Sequence, residues 1–163
     1  RSFFSRILWR LKTRVDKETL DKIVKLLEAK PYQLYPDAVE AVVKAKENGF
    51  KTAIVTTIAY FQFKEAVKPI KGHFDFIMTG YEAGCDKTNP KMYRRVLEIL
   101  RVKPEEAVMI GDNMDIDVLL PKRLDINAIL LNRERENVEC PAAVAIVDNL
   151  KEGVEAVIKM NRE

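Results

Sequence analysis

An apolar run that ends at a glycine and then opens into carboxylates constrains this chain more than any other feature. Residues 108–110 are apolar, Gly111 follows them, and the next six residues contain Asp112, Asp115 and Asp117. An apolar helical pattern comes next, which is typical of a strand that turns tightly into a helix. Because ligands bind at the carboxyl ends of strands in open α/β sheets, we expect the chemistry of the protein at this turn.

Two interpretations of the three aspartates stay open at this level. Ligands that are all oxygens suit a hard cation, and Mg²⁺ is the first candidate. Acidic residues near a helix N-terminus also occur because they cap the helix and interact favourably with its dipole. The cluster taken alone supports either interpretation.

Composition excludes several classes of protein. The chain has 163 residues, 47% of them hydrophobic, which is enough for about one domain with a buried core. Its 28 basic and 25 acidic residues are mostly interleaved, so no nucleic-acid-binding tail stands out. No apolar run approaches the ~20 residues of a membrane span, and no cleavable signal pattern opens the sequence. Two cysteines without a framework, and His73 as the one histidine, predict no zinc site and favour a reducing, cytoplasmic location.

The first part of the chain is predicted to be helical. Residues 1–14 carry five basic side chains and no acid, with apolar residues at three- and four-residue steps, so they predict an amphipathic helix. Such a helix can lie on a membrane surface, although the commoner use is to be covered by a neighbouring helix. A second helix is predicted to begin after Asp16, as its N-cap, and to stop at Pro31. Residues 32–35 are predicted to be a linker.

From Pro36 onward, helical and strand patterns alternate. Short β-branched runs predict strands at residues 52–56, 74–79, 107–110, 127–131 and 145–147. Helical patterns cover residues 36–48, 60–67, 91–100, 115–124 and 150–159, and turn residues predict a loop at 80–90. Strands separated by helices imply right-handed crossovers, so the predicted fold class is α/β with a doubly wound parallel sheet.

Burial can be predicted for two of these elements. The first strand, at residues 52–56, is short, apolar and β-branched, which is typical of a fully buried parallel strand. The helix that begins at Pro36 is expected to bury Val39, Val42, Val43 and Ala45.

Three polar side chains follow three of the predicted strands. Thr56 ends the first strand, Lys87 lies in the loop after the second, and Asp112 follows the third, so all three can converge above one edge of the sheet. A hydroxyl, an ammonium and a metal-binding carboxylate around one cavity suit a phosphoryl group, whose charge they neutralise. Taken singly, Thr56 could be an ordinary strand-end residue and Lys87 a solvated loop lysine.

The order of these residues resembles the motifs of the haloacid dehalogenase-like hydrolase superfamily. Residues 52–57 are similar to its second motif, a strand that ends in Ser or Thr. The segment 74–90 is similar to its third motif, a loop that carries a lysine. Ile110-Gly111-Asp112, with an aspartate five residues further on, is similar to its acidic fourth motif.

The resemblance implies a domain organisation and a role for each matching side chain. A Rossmann-like core would span residues 35–163, and residues 1–34 would be the remnant of a helical cap. Thr56 and Thr57 would bind the phosphoryl oxygens, and Lys87 would stabilise the nucleophile and its phospho-intermediate.

The same resemblance implies a Mg²⁺ site. Asp112 would bind the ion, and Asp117 would support or share the coordination. Asp115, the third aspartate of the cluster, matches no required position.

The first motif of the family is missing from the printed sequence. That motif is an apolar strand ending in Asp-x-Asp, whose first aspartate is the nucleophile. Asp16-Lys17-Glu18 is the one similar spacing before the second motif, and we reject it because it joins two predicted helices. In the family fold the missing strand lies between the strands of the second and fourth motifs, and unpaired backbone groups there would cost about 1–3 kcal/mol each. We therefore expect an upstream segment that carries the strand and the nucleophile.

Two smaller departures concern single residues. Thr88 stands where the family usually has Pro after the lysine. Pro121 falls inside the helix predicted after the acidic motif, where it removes a backbone donor and is expected to kink that helix.

The activity implied by the resemblance is that of a Mg²⁺-dependent phosphohydrolase. It would act on a small phosphorylated metabolite through an aspartyl-phosphate, as a monomer or homodimer, without a nucleic-acid or membrane partner. A 2-haloacid dehalogenase is one alternative, although that branch needs no metal and lacks the Gly-Asp that begins the fourth motif here at Gly111. A non-catalytic binding or scaffold protein, which kept the sheet but lost the nucleophile, is the other.

Overall fold

The secondary structure alternates between helices and parallel strands. A computed structural model of the chain describes residues 16–28 and 32–162; the helix predicted within residues 1–14 lies outside them. The helices are α1 (Lys17–Glu28), α2 (Pro36–Glu47), α3 (Tyr60–Val67), α4 (Gly80–Ala83), α5 (Pro90–Leu100), α6 (Leu120–Lys122) and α7 (Leu150–Met160). The strands are β1 (Ala53–Thr56), β2 (Phe76–Thr79), β3 (Val108–Gly111), β4 (Asn127–Leu131) and β5 (Ala145–Val147). Short 3-10 helices span Lys68–His73 and Pro104–Glu106, and a π-helical turn spans Met114–Leu119.

The five strands form two parallel sheets. β1 pairs with β2, so that Thr56 lies opposite Thr79. The other sheet has the order β3-β4-β5, with Gly111 opposite Leu130. The α/β class with parallel strands is therefore confirmed. Within the described part of the chain, β1 and β3 each pair with one neighbour only.

One core cluster joins the two sheets. Its buried members come from β2, from α5 and from the segment before β4, and they are Met78, Met92, Tyr93, Val96 and Ile126. Val55 of β1 and Met109 of β3 pack against the same cluster. Since apolar side chains from both sheets share one core, the strand ends of the two sheets are held in a common framework.

The helix boundaries follow from local chemistry. Oδ1 of Asp16 accepts the Thr19 amide at 2.8 Å, so α1 begins as predicted. Pro36 occupies the first turn of α2, and Gly49, at φ +81°, follows its end, as the sequence predicts. The segment from 80 to 90, predicted to be a loop, contains the short helix α4. There the Thr79 hydroxyl accepts the Glu82 amide while the Glu82 carboxylate accepts the Thr79 amide.

Three of the predictions were wrong in detail. The strand predicted from residue 74 begins at Phe76, because the Phe74 amide donates to the Lys71 carbonyl and so belongs to the end of the 3-10 helix Lys68–His73. Val39 was expected on the buried side of α2, but it is 43% exposed and Ala41 is buried instead, because the α2 stripe that packs with Val154 of α7 is rotated away from Val39. All four residues of β1 are half-buried rather than buried.

Asp37 connects α2 to Arg133, which follows β4, and to the first residue of α7. Its two carboxylate oxygens accept hydrogen bonds from Arg133, both at 3.1 Å, and one of them also accepts the Leu150 amide at 2.6 Å. The Arg133 guanidinium lies 3.8 Å from the ring centroid of Tyr35. Burial by itself raises the pKa of Asp37, but the hydrogen bonds from Arg133 and Leu150 outweigh it and lower the pKa below its ordinary value.

Within the described ranges, no helix has the length and apolar content needed to cross a bilayer.

We expect Asp37→Asn to lower the free energy of unfolding at pH 7 by about 1–3 kcal/mol, because the Arg133 guanidinium loses its charged acceptor. An aspartate with a lowered folded-state pKa stabilises the fold above its unfolded pKa, about 3.9, and this contribution is lost as the pH falls through the folded pKa. The difference between wild type and variant should therefore shrink in urea unfolding at pH 3. Asp21→Asn, at an exposed position of α1, is the control. A pH-independent difference would contradict the assignment.

Candidate active site

Lys87 and Asp117 form an ion pair that is largely removed from solvent. The Asp117 side chain is 2% exposed and the Lys87 side chain is 13% exposed. Lys87 lies in the loop between α4 and α5, whereas Asp117 lies in the π-helical turn after β3. Oδ1 of Asp117 makes this ion pair but accepts no hydrogen bond of good geometry from the described residues. The site therefore contains a buried carboxylate oxygen whose one partner is a cation.

Gly111 makes room for the Asp117 carboxylate. A Cβ atom at Gly111 would lie 2.5 Å from Cγ of Asp117, which is closer than real contacts allow. The Asn113 amide donates to Oδ2 of Asp117 at 3.2 Å and fixes the second carboxylate oxygen. The glycine of the acidic motif is therefore required by the position of Asp117, and not by a special backbone conformation.

The helix predicted over residues 115–124 is a π-helical turn followed by the short helix α6. Asn113 caps the turn, because its Oδ1 accepts the amides of Asp115 and Ile116, both at 3.1 Å. The Leu120 amide reaches back five residues to the Asp115 carbonyl. The sequence predicted one helix kinked at Pro121; the structure has these two short elements instead, with Pro121, which supplies no amide, in the first turn of α6.

Hydrogen bonds from Thr88 stabilise the loop that carries Lys87. Thr88 stands where the family usually has proline. The Thr88 amide donates to Oδ1 of Asp86 at 2.9 Å, and the Thr88 hydroxyl donates to the same oxygen. These two bonds lower the pKa of Asp86 below its ordinary value, and the bond from the Thr88 hydroxyl has the larger effect. Asn89 then caps α5 by accepting the Lys91 amide at 3.0 Å. The turn on either side of Lys87 is thus anchored without a proline ring.

The loop after β1 contacts the segment that leads to Lys87. A Cβ atom at Gly80 would lie 3.4 Å from the Thr57 carbonyl oxygen and 3.1 Å from that of Cys85. The Thr56 hydroxyl accepts the Ile58 amide at 3.1 Å, which leaves the hydroxyl hydrogen available for a ligand. Thr57 itself is exposed. The loops that follow β1, β2 and β3 therefore meet at one edge of the fold.

Asp112 differs from the buried pair in its exposure. It is exposed at the carboxyl end of β3, and it makes no hydrogen bond or ion pair with any other described residue. The structure thus brings Lys87 and Asp117 into contact, brings the backbone of Thr57 close to Gly80, and leaves the Asp112 carboxylate open to solvent. The roles predicted for these residues stay predictions.

The donor set fits Mg²⁺ as a partial site. No group of three or more acidic, histidine or cysteine side chains that could hold a metal ion occurs in the ranges that the structure covers. Mg²⁺ usually keeps several waters and takes one or two protein carboxylates. Asp112, which pairs with no other described residue, is a carboxylate of the kind required, and Asp117 supplies a second carboxylate, which already contacts Lys87.

Sequence reasoning missed Asn113 as a member of the site. Its signal was present, because an asparagine directly before a helical pattern is a preferred N-cap. Its side chain holds the start of the turn while its amide binds Asp117.

The family model for haloacid dehalogenase-like hydrolases matches residues 4–125, which is most of the chain. The chain belongs to the haloacid dehalogenase-like hydrolases. The resemblance stated from the motifs is therefore confirmed, and the protein is a member of a hydrolase family.

Relatives of this chain and solved structures similar to it support the same assignment. A protein named glyceraldehyde 3-phosphate phosphatase, from Methanopyrus kandleri, is 33% identical over 101 residues, 61% of this chain and 43% of the relative. A phosphoserine phosphatase from Thermus thermophilus is 31% identical over 108 residues, 65% of this chain and 43% of the relative. The chain spans less than half the length of these relatives.

The structural matches extend further along the chain. A HAD phosphatase from Thermococcus onnurineus superimposes with a TM-score of 0.72 at 26% identity, over 94% of this chain and 69% of that one. The L-2-haloacid dehalogenase from Xanthobacter autotrophicus also gives 0.72, over 94% and 71% of the two chains, but at 20% identity it shows the fold alone.

We expect Gly111→Ala to displace the Asp117 carboxylate and lower the free energy of unfolding by about 1–3 kcal/mol. The physical reason is the overlap between the new methyl group and the Asp117 side chain. Gly72→Ala is a matched control, because a Cβ atom there meets nothing within 4 Å. Chemical denaturation measures both variants, and equal losses would show that the space at Gly111 is not reserved for Asp117.

Proposed function

We propose that this hydrolase is a cytoplasmic, Mg²⁺-dependent phosphatase that acts on a small phosphorylated metabolite through an aspartyl-phosphate. The observation that carries the proposal is the Lys87–Asp117 ion pair, buried where the loops after β2 and β3 meet. The phosphatase names of the relatives support this choice of reaction. Both cysteines are free thiols, which fits a reducing compartment.

A phosphoryl group is the ligand that best suits these donors. Its transfer spreads negative charge over three oxygens, and preorganised cations and hydrogen-bond donors stabilise that charge. Lys87 would supply the positive charge, held in place by Asp117. Thr56 would donate its hydroxyl hydrogen to a phosphoryl oxygen, because its lone pair already accepts the Ile58 amide. Thr57 would face the same group from the loop after β1.

The carboxylates would hold the metal ion. Asp112 would bind Mg²⁺ directly, and Asp117 would share or support that coordination. When bound, Mg²⁺ would neutralise charge on the phosphoryl oxygens as a Lewis acid. Lys87 would balance the charge of Asp117, so that the two aspartates do not repel each other across the site.

The nucleophile is proposed to come from a strand that is not part of the 163 printed residues. No Asp-x-Asp precedes β1 in the sequence. In the described structure β1 and β3 have one paired edge each, which supports a place for an additional strand. On this proposal, residues 35–163 form a core that lacks its first strand, and residues 1–34 are the remnant of a helical cap.

A non-catalytic relic is the second candidate, and the missing nucleophile is the observation that favours it. A dehalogenase is disfavoured by Gly111-Asp112, because the dehalogenase branch resembles this motif less. Hydrolysis of 4-nitrophenyl phosphate and of a panel of phosphorylated metabolites, with and without Mg²⁺, separates the candidates when protein from the complete reading frame is used. If the protein releases phosphate from none of these substrates, the non-catalytic relic is the favoured candidate.

We expect Asp112→Asn to abolish Mg²⁺-dependent turnover and weaken Mg²⁺ binding, while the fold stays intact because the side chain is exposed. Calorimetric titration with Mg²⁺ and circular dichroism measure the two effects. Asp115→Asn, in the same cluster, should keep both activity and affinity. Equal losses in the two variants would favour a general effect of acidic charge over a specific ligand.

We expect Lys87→Ala to reduce kcat by about 10²–10³, the usual effect of removing one group that stabilises transition-state charge. Lys91→Ala, an exposed lysine four residues further on, should be close to wild type. Because Lys87→Ala also leaves Asp117 unpaired, thermal unfolding is measured in parallel. If the Lys87→Ala variant is folded and has the wild-type rate, Lys87 has a structural role and takes no part in the reaction.

A further inference from the structure

Tyr93 links the helix after the lysine loop to the turn that carries Asp117. Its ring lies in the central core, and the residue is 3% exposed. Its hydroxyl, however, leaves the apolar cluster and donates a hydrogen bond to the carbonyl oxygen of Ile116. Ile116 immediately precedes Asp117 in the π-helical turn. A buried tyrosine thus ends on the backbone beside the buried carboxylate.

The Ile116 carbonyl needs a donor from outside the helix. In an α-helical register its partner would be the amide of Leu120, and in a π-helical register it would be the amide of residue 121. The Leu120 amide donates to the Asp115 carbonyl instead. Residue 121 is proline and has no amide hydrogen. The Tyr93 hydroxyl occupies the place of that missing donor.

The phenol keeps its proton throughout the ordinary pH range. Burial, and then the negative charge of Asp117, raise the pKa of Tyr93 well above that of a free phenol. The raised pKa keeps the hydroxyl protonated, as its role as a donor to Ile116 requires.

Tyr93, at the other end of this hydrogen bond, is connected to the Lys87 loop through the start of α5. Tyr93 lies in the first turns of α5, whose N-cap is Asn89, and the Asn89 amide in turn donates to the Asp86 carbonyl at 3.1 Å. The two contacts Lys87–Asp117 and Tyr93–Ile116 therefore join the same pair of segments at two points. One contact fixes the position of the turn along the site, and the second restricts its rotation.

We propose that Tyr93 is a positioning residue whose hydroxyl replaces the amide that Pro121 lacks and so holds Asp117 against Lys87. The inference deepens the proposed phosphatase function and rests on it for the metal readout. Without the hydroxyl, the Ile116 carbonyl gains a donor if the Leu120 amide moves from Asp115 to Ile116. That change converts the π-helical turn to an α-helical one and rotates the segment that carries Asp117.

The test is a double-mutant cycle between Tyr93 and Pro121 in the full-length protein. Tyr93→Phe keeps the ring but removes the donor, and we expect about tenfold weaker Mg²⁺ binding, the effect of one lost buried hydrogen bond. Pro121→Ala restores an amide that can reach Ile116, so the double variant should recover Mg²⁺ affinity to within about threefold of wild type. Tyr32→Phe removes an exposed hydroxyl and is the control.

Thermal stability separates positioning from a merely structural role. Pro121 is fully buried, so Pro121→Ala removes packed carbon atoms and should lower the melting temperature of the double variant below that of Tyr93→Phe. Affinity and stability should thus change in opposite directions between these two variants. Wild-type affinity in Tyr93→Phe, or a double variant that binds Mg²⁺ as weakly as the single one, would overturn the proposal.

Amide hydrogen exchange keeps this proposal distinct from the proposed function. If wild-type protein does not bind Mg²⁺, the metal site fails, but exchange at the Asp117 and Leu120 amides still reports the turn. Faster exchange in Tyr93→Phe, reversed by Pro121→Ala, would support the positioning role. Unchanged exchange at both amides would overturn it.

Discussion

The ion pair between Lys87 and Asp117 is the interaction on which the rest of the site depends. Removing two charges from water is costly, and such a pair rarely stabilises a fold more than apolar side chains of the same size would. The surroundings are nonetheless built around it: Gly111 leaves space for the carboxylate, and Asn113 fixes its second oxygen. A buried pair that adds little stability, yet imposes these requirements on its neighbours, is understandable if its charge and position serve chemistry.

The order of strands and helices could be predicted from the sequence because most helix and strand boundaries depend on residues close by in the chain. Asp16, Pro36 and Gly49 act through their own backbone neighbours, so their effects need no knowledge of the tertiary fold. Burial is different, because it depends on which element covers a face. The exposure of Val39 follows from which face of α2 packs on α7, and the pattern of apolar residues in α2 alone does not determine that face.

The site shows the same division between local and tertiary information. Lys87, Asp112 and Asp117 could be selected from their spacing to predicted strands, but the sequence gives no way to tell that Asp117 is buried and Asp112 exposed. The π-helical turn was also beyond prediction. Pro121 shows that one backbone donor is missing. The donor that replaces it comes from Tyr93, which lies 23 residues before the Ile116 acceptor and whose position in an amphipathic helix indicates only a core residue.

The burial of the strands supports the proposal of an additional strand independently of the missing nucleophile. Every residue of β1 and of β3 is half-buried, whereas β4, which is paired on both sides, has three fully buried residues. Apolar strands of a doubly wound sheet are normally covered on both faces, and β1 and β3 are the two described strands without a fully buried residue, which supports the proposed additional strand. The exposed Asp112 carboxylate directly follows one of them. On the function proposed above, an aspartate carried by such a strand would add a second carboxylate at this edge of the sheet, and a pair of carboxylates would favour a bound Mg²⁺.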